Sequence, residues 1–370
     1  MLTVVVGMQW GDEGKGKVVS GIHHTVSVRM NGGPNAGHTV GGIPVHQVPP
    51  GFIFPSTHLL IAAGSVVDPF KLRQEILRLL HDYSIDVRHR LFIDPRAHII
   101  TPDHLARDAS EEHNRIGKIG TTLTGNGPVH ADKYARRGQQ IGSLPRDDER
   151  VRDLNLDDVR EQVLDALDFG GHVLLLVAHG TMLDIDHGTY PFVTSSHCTA
   201  AGGLAAVGLP PSFMRHGHSR MIGVVKAYTT RVAPGPMRGE MKDADAHTIR
   251  ELGHEYGTTT QRPRRLGWLD LGQLEYAAQI NGPDFLVLTK TDVLADRDKV
   301  SFVASSWNDE AEPIIKFVKG WSSTAIRQTG DLPAGLLWLI GRIEERTRAR
   351  VSQVGVGPGA NDVIRLATVP

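Results

Sequence analysis

Short apolar runs without polar interruption alternate along this chain with stretches of helical periodicity. Val4-Val5-Val6, Leu59 to Ala63, His172 to Ala178, Met221 to Val225 and Phe285 to Thr289 are rich in β-branched residues and leucine, and Gly, Pro, His or charged residues flank them. Runs of this kind predict strands buried on both faces. A helix is expected from Asp68-Pro69 onward, with Asp as N-cap and Pro in the first turn; Leu72, Ile76, Leu79 and Leu80 recur along one face. A second is expected over Leu156 to Asp168, with Val159, Val163 and Leu167 on one side and Gly170-Gly171 as its stop. Ala334 to Arg348 reads as a late amphipathic helix and Val351 to Val356 as a last strand. The alternation predicts an α/β fold: a mostly parallel central sheet covered by helices, P-loop NTPase-like, as one domain over residues 1–370. The stretches 31–55, 117–145, 179–203 and 229–268 are rich in Gly, Pro and His and are expected to be long substrate loops, too polar for core.

Composition narrows the class without naming a chemistry. With 370 residues, 40% hydrophobic and 22% charged, the chain fits a globular protein, and a net charge of −1 argues against nucleic-acid or anionic-membrane partners. The single Cys198 excludes an internal disulfide. No basic leader and no apolar run near the roughly 18 residues of a membrane span are visible, so a cytoplasmic protein is expected.

The first strand runs straight into Gly7-Met-Gln-Trp-Gly-Asp-Glu-Gly-Lys-Gly-Lys17, where Gly11, Gly16 and Lys17 keep Walker A spacing. Backbone N–H groups of such a turn wrap a polyphosphate while lysine offsets its charge. The hydroxyl that should follow and hold Mg²⁺ is replaced by Val18, and the loop carries Asp12 at its middle. A carboxylate inside a phosphate cradle repels phosphate unless a metal or a proton transfer occupies it. Asp12 is therefore a metal ligand, a catalytic base, or both in turn.

Other clusters lie in the polar stretches. Asn35-Ala-Gly-His-Thr39 offers His38 as a general acid and the Gly37 carbonyl to a metal; a loop histidine with no task is the plainer reading. Gly120-Thr121-Thr122 and Lys133-Tyr-Ala-Arg136-Arg137 suit a phosphate monoester, or a solvated basic helix end. Asp184-Ile-Asp186-His187 invites a metal reading, though no second cluster has matching spacing. Thr258-Thr259-Thr260-Gln-Arg262-Pro-Arg264-Arg265 can take a carboxylate and a phosphate together, or be an exposed basic loop. Thr289-Lys290-Thr291-Asp292 ends a strand in the form that reads guanine.

Together these segments resemble adenylosuccinate synthetase, from Val4 to about Arg365. The resemblance rests on Gln9 to Lys17, Asn35 to Thr39, Ile119 to Thr122, Ala135 to Gly138, Asp186 to Pro191 with Val193 to Ser196, Thr230-Arg-Val232, Gly267-Trp268 and Gly357-Pro358. It implies a homodimeric, Mg²⁺-dependent ligase that joins aspartate to C6 of a 6-oxopurine nucleotide through a 6-phosphoryl intermediate. It implies that Asp12 takes the N1 proton, that His38 stabilises charge between O6 and phosphorus, and that Asp12 and Gly37 hold the metal. Gly11, Glu13, Gly14, Lys15, Gly16, Lys17, Gly37, His38, Thr39 and Arg264 would contact the triphosphate, with Lys290, Asp292, Gly355 and Gly357 about its base. Asp12, Asn35, Thr121, Thr122, His179, Thr194 and Arg262 would contact the purine monophosphate, with Arg136 reaching in from a partner subunit. Thr258, Thr259, Thr260, Arg262 and Arg264 would take the aspartate.

Departures from the family pattern bear on the substrate. The chain is several dozen residues shorter than the usual bacterial enzyme, in that resembling the compact archaeal form. The family's Gln beside the purine 6-position falls on His179, and the residues flanking Arg262 are Gln261 and Pro263. Pro34 to Thr39 and Gly357 to Val363 look like the phage branch, which acts on dGMP to make a 2-aminoadenine precursor. That points to dGMP, with IMP as the alternative, and to a host-cytoplasmic enzyme if the source is a phage. Retained Asp12, which is Ser in some phage enzymes, and the Lys290/Asp292 pair, which favours GTP over ATP or dATP, pull the other way. An idle nucleotide-binding regulator and a P-loop GTPase switch are the readings from other classes.

Overall fold

The computed structural model describes residues 1–214, 219–257, 262–307, 312–322, 326 and 328–366. The first strand, Leu2–Gly7, lies inside a ten-stranded sheet. On one side of it run Ser219–Lys226, Phe285–Thr289 and Arg350–Gly355, and on the other Val173–Leu176, Val26–Arg29, His58–Ile61, Leu91–Ile93 and Asn155–Leu156, all parallel. Only the edge strand Val363–Arg365 is antiparallel. Successive side chains of a strand face opposite sides, and both sides are buried here. Val4 and Val6 enter the large core with Leu175 and Val225, whereas Val5 packs on the other face with Val18, Val19, Leu174 and Val224. That two-sided burial is why the strands read as unbroken apolar runs.

The helix Pro69–Tyr83 starts as its cap predicts: the Asp68 carboxylate accepts from the Lys71 N–H at 3.0 Å, and Leu72, Ile76 and Leu79 are buried. The helix expected from Leu156 begins instead at Val159, because Asp158 caps it and Leu156 pairs with Ile93 in the sheet. The expectation that 229–268 is loop too polar for core is corrected. Tyr228–Arg231 and Arg265–Asp270 pair with Lys299–Val303 and Ile315–Lys319 in a four-stranded sheet, and the helix Asp243–Gly253 packs nearby. Met241, Ala246, Ile249 and Leu266 belong to the main core. Their apolar positions are too sparse to register as a run, since the strand is short and Arg231 is buried within it through hydrogen bonds to carbonyls. Stretch 117–145 likewise contains the helix Asn126–Tyr134.

Candidate active site

The carboxyl ends of Leu2–Gly7, Val26–Arg29 and Val173–Leu176 open on one side of the sheet, and the loops that follow them converge there. Ligand crevices in open α/β sheets form at such ends. Here the loops enclose a cleft of about 360 Å³. The glycine-rich turn supplies residues 10–16 and the next loop supplies 35–39. Thr121, Thr122, His179, Thr194 and Arg264 line the same cleft, drawn from segments far apart in sequence.

Asp12 sits at the mouth of the turn in a left-handed conformation, φ 59°, and its carboxylate faces the Arg264 guanidinium with Nε 3.0 Å from Oδ2. Glu13 turns the other way. Its carboxylate is fully buried and accepts from the Gln9 N–H at 3.1 Å, the Gly11 N–H at 2.9 Å and Lys15 Nζ at 2.5 Å. Lys15 also donates to the His179 carbonyl. The Glu13 carboxylate is thus spent on shaping the loop, so only its main chain is left for a phosphate. Walker A spacing pointed to Lys17 as the cleft cation, but the side chain there is Lys15. Lys17 lies outside the cleft lining and donates to the carbonyls of Gly357 at 2.5 Å and Asp362 at 3.1 Å. Its helix begins at Lys15, which rotates residue 17 away from the turn.

The residues expected about the donor's base form a second group beside the cleft. Gly355 accepts from the Thr291 hydroxyl at 2.9 Å, and burial pushes the Asp292 carboxyl above its usual range. Burial also lowers Lys17, against the pull of Asp292 and Asp362. Asp292 Oδ1 is buried without a hydrogen-bond partner in the described structure. Lys290, also left-handed at φ 61°, donates to the Gly253 carbonyl at 2.5 Å.

His38 opens a short hairpin, His38–Val40 with Ile43–Val45, and is buried, which drives its pKa well below the usual histidine value; Arg29 and Lys15 push the same way. Its Nδ1 has no protein partner in the described structure. His179 has φ 66° and a pKa held down to about 3, by burial first and then by Arg29 and Lys15. Asn35 Oδ1 accepts from the Gly33 N–H at 3.0 Å, so its amide nitrogen points to His179 Nε2 at 3.1 Å. A neutral ring that accepts at Nε2 carries its proton on Nδ1. The same Asn35 amide reaches Thr194 at 3.4 Å.

Two charged residues that the sequence reading passed over hold these loops. Arg29 is buried at the end of a strand and donates to the carbonyls of Gly33 at 2.9 Å and Ala36 at 3.2 Å. Glu75, buried in the helix Pro69–Tyr83, accepts from the N–H groups of His46, Gln47 and Val48 at 2.8, 3.0 and 3.2 Å and so anchors the strand after His38. A charge inside an otherwise apolar face was the available signal. Asp184 is also structural: its carboxylate takes the N–H groups of Asp186, His187 and Cys198. No cluster of three His, Cys, Asp or Glu able to hold a metal occurs among the described residues.

Arg136 is exposed, left-handed at φ 60°, and does not line this cleft. Arg262 is exposed as well and lies outside the cleft lining. Thr258, Thr259, Thr260 and Gln261 fall outside the described residues. The arms that lead to them are paired, with the Gly257 N–H on the Arg262 carbonyl and the Arg264 N–H on the Glu255 carbonyl, each at 2.9 Å.

A glycine turn holding an internal aspartate, a hairpin histidine and a basic loop arm make an unusual set, and sequence comparison assigns it. The adenylosuccinate synthetase family model matches residues 4–157 and 148–364. The chain belongs to the adenylosuccinate synthetase family. Its members are C–N ligases, and this chain is one of that type. Adenylosuccinate synthetase of Aquifex aeolicus is 37% identical, over 99% of this chain and 97% of its own length. That of Hydrogenobaculum sp. is 39% identical, over 98% and 99%. The fully ligated adenylosuccinate synthetase of Plasmodium falciparum superposes with a TM-score of 0.90 at 30% identity, covering 99% of both chains. The cyanophage S-2L succinoaminodeoxyadenylate synthetase, solved with dGMP and dATP as an energy donor, superposes with a TM-score of 0.73 over 99% of this chain and 95% of its own. At 24% identity that likeness speaks for the fold alone. No helix among the described residues is long and apolar enough to cross a membrane.

Proposed function

We propose that this family member joins L-aspartate to C6 of dGMP, giving N6-succino-2-amino-2′-deoxyadenylate, with GTP as phosphoryl donor. The observation that carries the choice of acceptor is His179. It lines the cleft as a neutral ring clamped by Asn35, at the position where the family resemblance puts a glutamine beside the purine 6-position. Guanine and hypoxanthine share the 6-oxo group and N1–H, so a change of acceptor falls on residues around the base and leaves the reacting groups alone. A second reading, IMP as acceptor, is favoured by the near full-length relatives at 37–39% identity, which are adenylosuccinate synthetases.

In either case the chain's own residues have the same tasks. Asp12 removes the N1 proton, and the negative charge passes to O6. O6 attacks the γ-phosphorus; the O6–P bond forms as the bond to the β-phosphate oxygen breaks, and the nucleoside diphosphate departs. His38, neutral and with ring capacity uncommitted, stabilises the charge between O6 and phosphorus. The aspartate amine then attacks C6, the C6–O6 bond breaks, and phosphate leaves with O6 and the proton the amine loses, as hydrogen phosphate. The donor set at Asp12 and Gly37, a partly exposed carboxylate and a main-chain carbonyl beside a phosphate cradle, fits Mg²⁺, which takes few protein ligands besides phosphate oxygens. When bound it neutralises phosphoryl charge. Lys15 and the N–H groups of the turn hold the phosphates, Thr121, Thr122 and Thr194 the monophosphate, and Lys290 and Asp292 the donor's base. Arg262, Arg264 and the threonines 258–260 take the aspartate, and Arg136 completes the site of a partner subunit in a homodimer.

A competition experiment tests the reading. Equal dGMP, GMP, IMP and dIMP are offered with aspartate and GTP, and the succinylated product is identified by mass. Dominance of the dGMP product is expected. Dominance of the IMP product selects the second reading, and no turnover of any acceptor removes both. A His179→Gln variant is expected to shift preference towards IMP.

A further inference from the structure

The basic loop arm and the base-reading tetrapeptide are tied to a single buried carboxylate. Glu255 follows the helix Asp243–Gly253, is fully buried and does not line the cleft. Its oxygens accept from Tyr228 Oη at 2.5 Å and Arg264 at 2.5 Å, and lie 3.3 Å from Lys226 Nζ and 3.4 Å from Lys290 Nζ. Three cations around one carboxylate exceed what charge balance within the cluster needs. Lys226 and Tyr228 are themselves buried, so these groups cannot be neutralised by water.

Arg264 connects this cluster to the reacting groups. One side of its guanidinium is hydrogen-bonded to Glu255, and Nε lies 3.0 Å from Asp12. The second contact is ionic only, since the Nε–H does not point at an acceptor. Glu255 thus holds Arg264 by a directed, charge-assisted bond, while Asp12 attracts it without alignment. Lys290, at the donor-base end, shares the same carboxylate. If Glu255 lost its charge, Arg264 would be free to turn onto Asp12 and tie up the carboxylate that must take the N1 proton. Lys290 would lose its fixed counter-ion at the same moment.

We infer that Glu255 is a positioning residue that keeps Arg264, 3.0 Å from Asp12, from turning a directed hydrogen bond onto that carboxylate and that fixes Lys290, so that one buried carboxylate sets both the catalytic end and the base end of the donor site. This rests on the reading of the cleft given above. The test compares Glu255→Gln with the unchanged chain, measuring kcat and the KM of GTP, purine monophosphate and aspartate with whichever acceptor turns over. Charge-assisted bonds of this kind are worth roughly tenfold or more each. The GTP KM is expected to rise and kcat to fall, each by about tenfold or more, with the monophosphate KM within about twofold of the original. Unchanged constants in a folded variant overturn the inference, as does a loss of kcat alone with every KM preserved, the mark of a smaller active fraction. If Glu255→Gln does not fold, Tyr228→Phe keeps all charges and removes one bond to Glu255. It is expected to raise the GTP KM by about threefold and leave the monophosphate KM alone, and an unchanged GTP KM overturns the inference. Absence of turnover by the unchanged chain would instead strike the proposed function, so the two failures are separable.

Discussion

Replacing Asp12 by asparagine separates chemistry from folding. The residue sits at φ 59°, a region that asparagine tolerates as readily as aspartate, so the backbone is not strained by the change. The side chain is 32% exposed, and its only ion-pair partner among the described residues is Arg264. Arg264 keeps its 2.5 Å bond to Glu255 when Asp12 loses its charge, so no unpaired buried cation results. A partly exposed pair of this kind contributes about 0–1 kcal/mol. Unfolding entropy of roughly 2 cal/mol/K per residue makes that a shift in Tm of at most about 1 °C for a chain of this length. Catalysis should respond far more strongly. With Asp12 in its proposed roles, loss of the general base costs about 10²–10⁴ in rate and loss of an anionic metal ligand adds to it, so a fall in kcat of at least about 10³ is expected. Phosphate release and succinylated product are measured together, alongside a thermal melt. A variant that keeps more than about a tenth of kcat would refute the assignment of Asp12 as base. A large drop in Tm would refute the account of its environment.

Three further outcomes follow from the structure and the proposed function. Glu13→Gln leaves Lys15 buried without its 2.5 Å counter-ion, a loss of about 3–5 kcal/mol that lowers Tm by roughly 4–6 °C, in contrast to Asp12→Asn; equal melts for the two would contradict the burial argument. His24, His130 and His179 are held neutral by burial, with pKa values of about 4, 3 and 3, so the unfolded chain binds more protons below its ordinary histidine value. Stability is then fully present above about pH 6.5 and falls as pH drops towards 4, by up to about 1.4 kcal/mol per unit for each ring; denaturant titrations that show no loss between pH 7 and 5 would count against it. If the chain forms the proposed homodimer with Arg136 in the partner's site, mixing inactive Asp12→Asn with Arg136→Leu subunits should restore about a quarter of native activity, because half of such dimers are mixed and each has one intact site; no recovery after verified subunit exchange would place Arg136 outside the partner's site.

The strands of the central sheet were legible because burial on both faces demands apolar residues at every position, as in Val4 to Val6 and Val173 to Leu176. The helix at Pro69 was legible because its cap is local chemistry, Asp68 to the Lys71 N–H. The four-stranded sheet was not, since short strands such as Tyr228–Arg231 place a buried cation where an apolar residue would be looked for.

The site divides the same way. Sequence by itself determined the family, the glycine turn with its internal aspartate, and which residue types were available for phosphoryl transfer, because those are properties of contiguous segments. Only the tertiary structure decided which lysine faces the cleft, and it chose Lys15 over Lys17 through where the helix begins. It also decided that Glu13 shapes the loop, that Asn35 clamps His179, and that Glu255 gathers Lys226, Lys290 and Arg264. The reason is common to all of these. Direction of a side chain and the partner of a buried charge depend on elements far apart in the chain, such as Glu255 and Lys290 or Asn35 and His179, and no local spacing encodes where those elements meet.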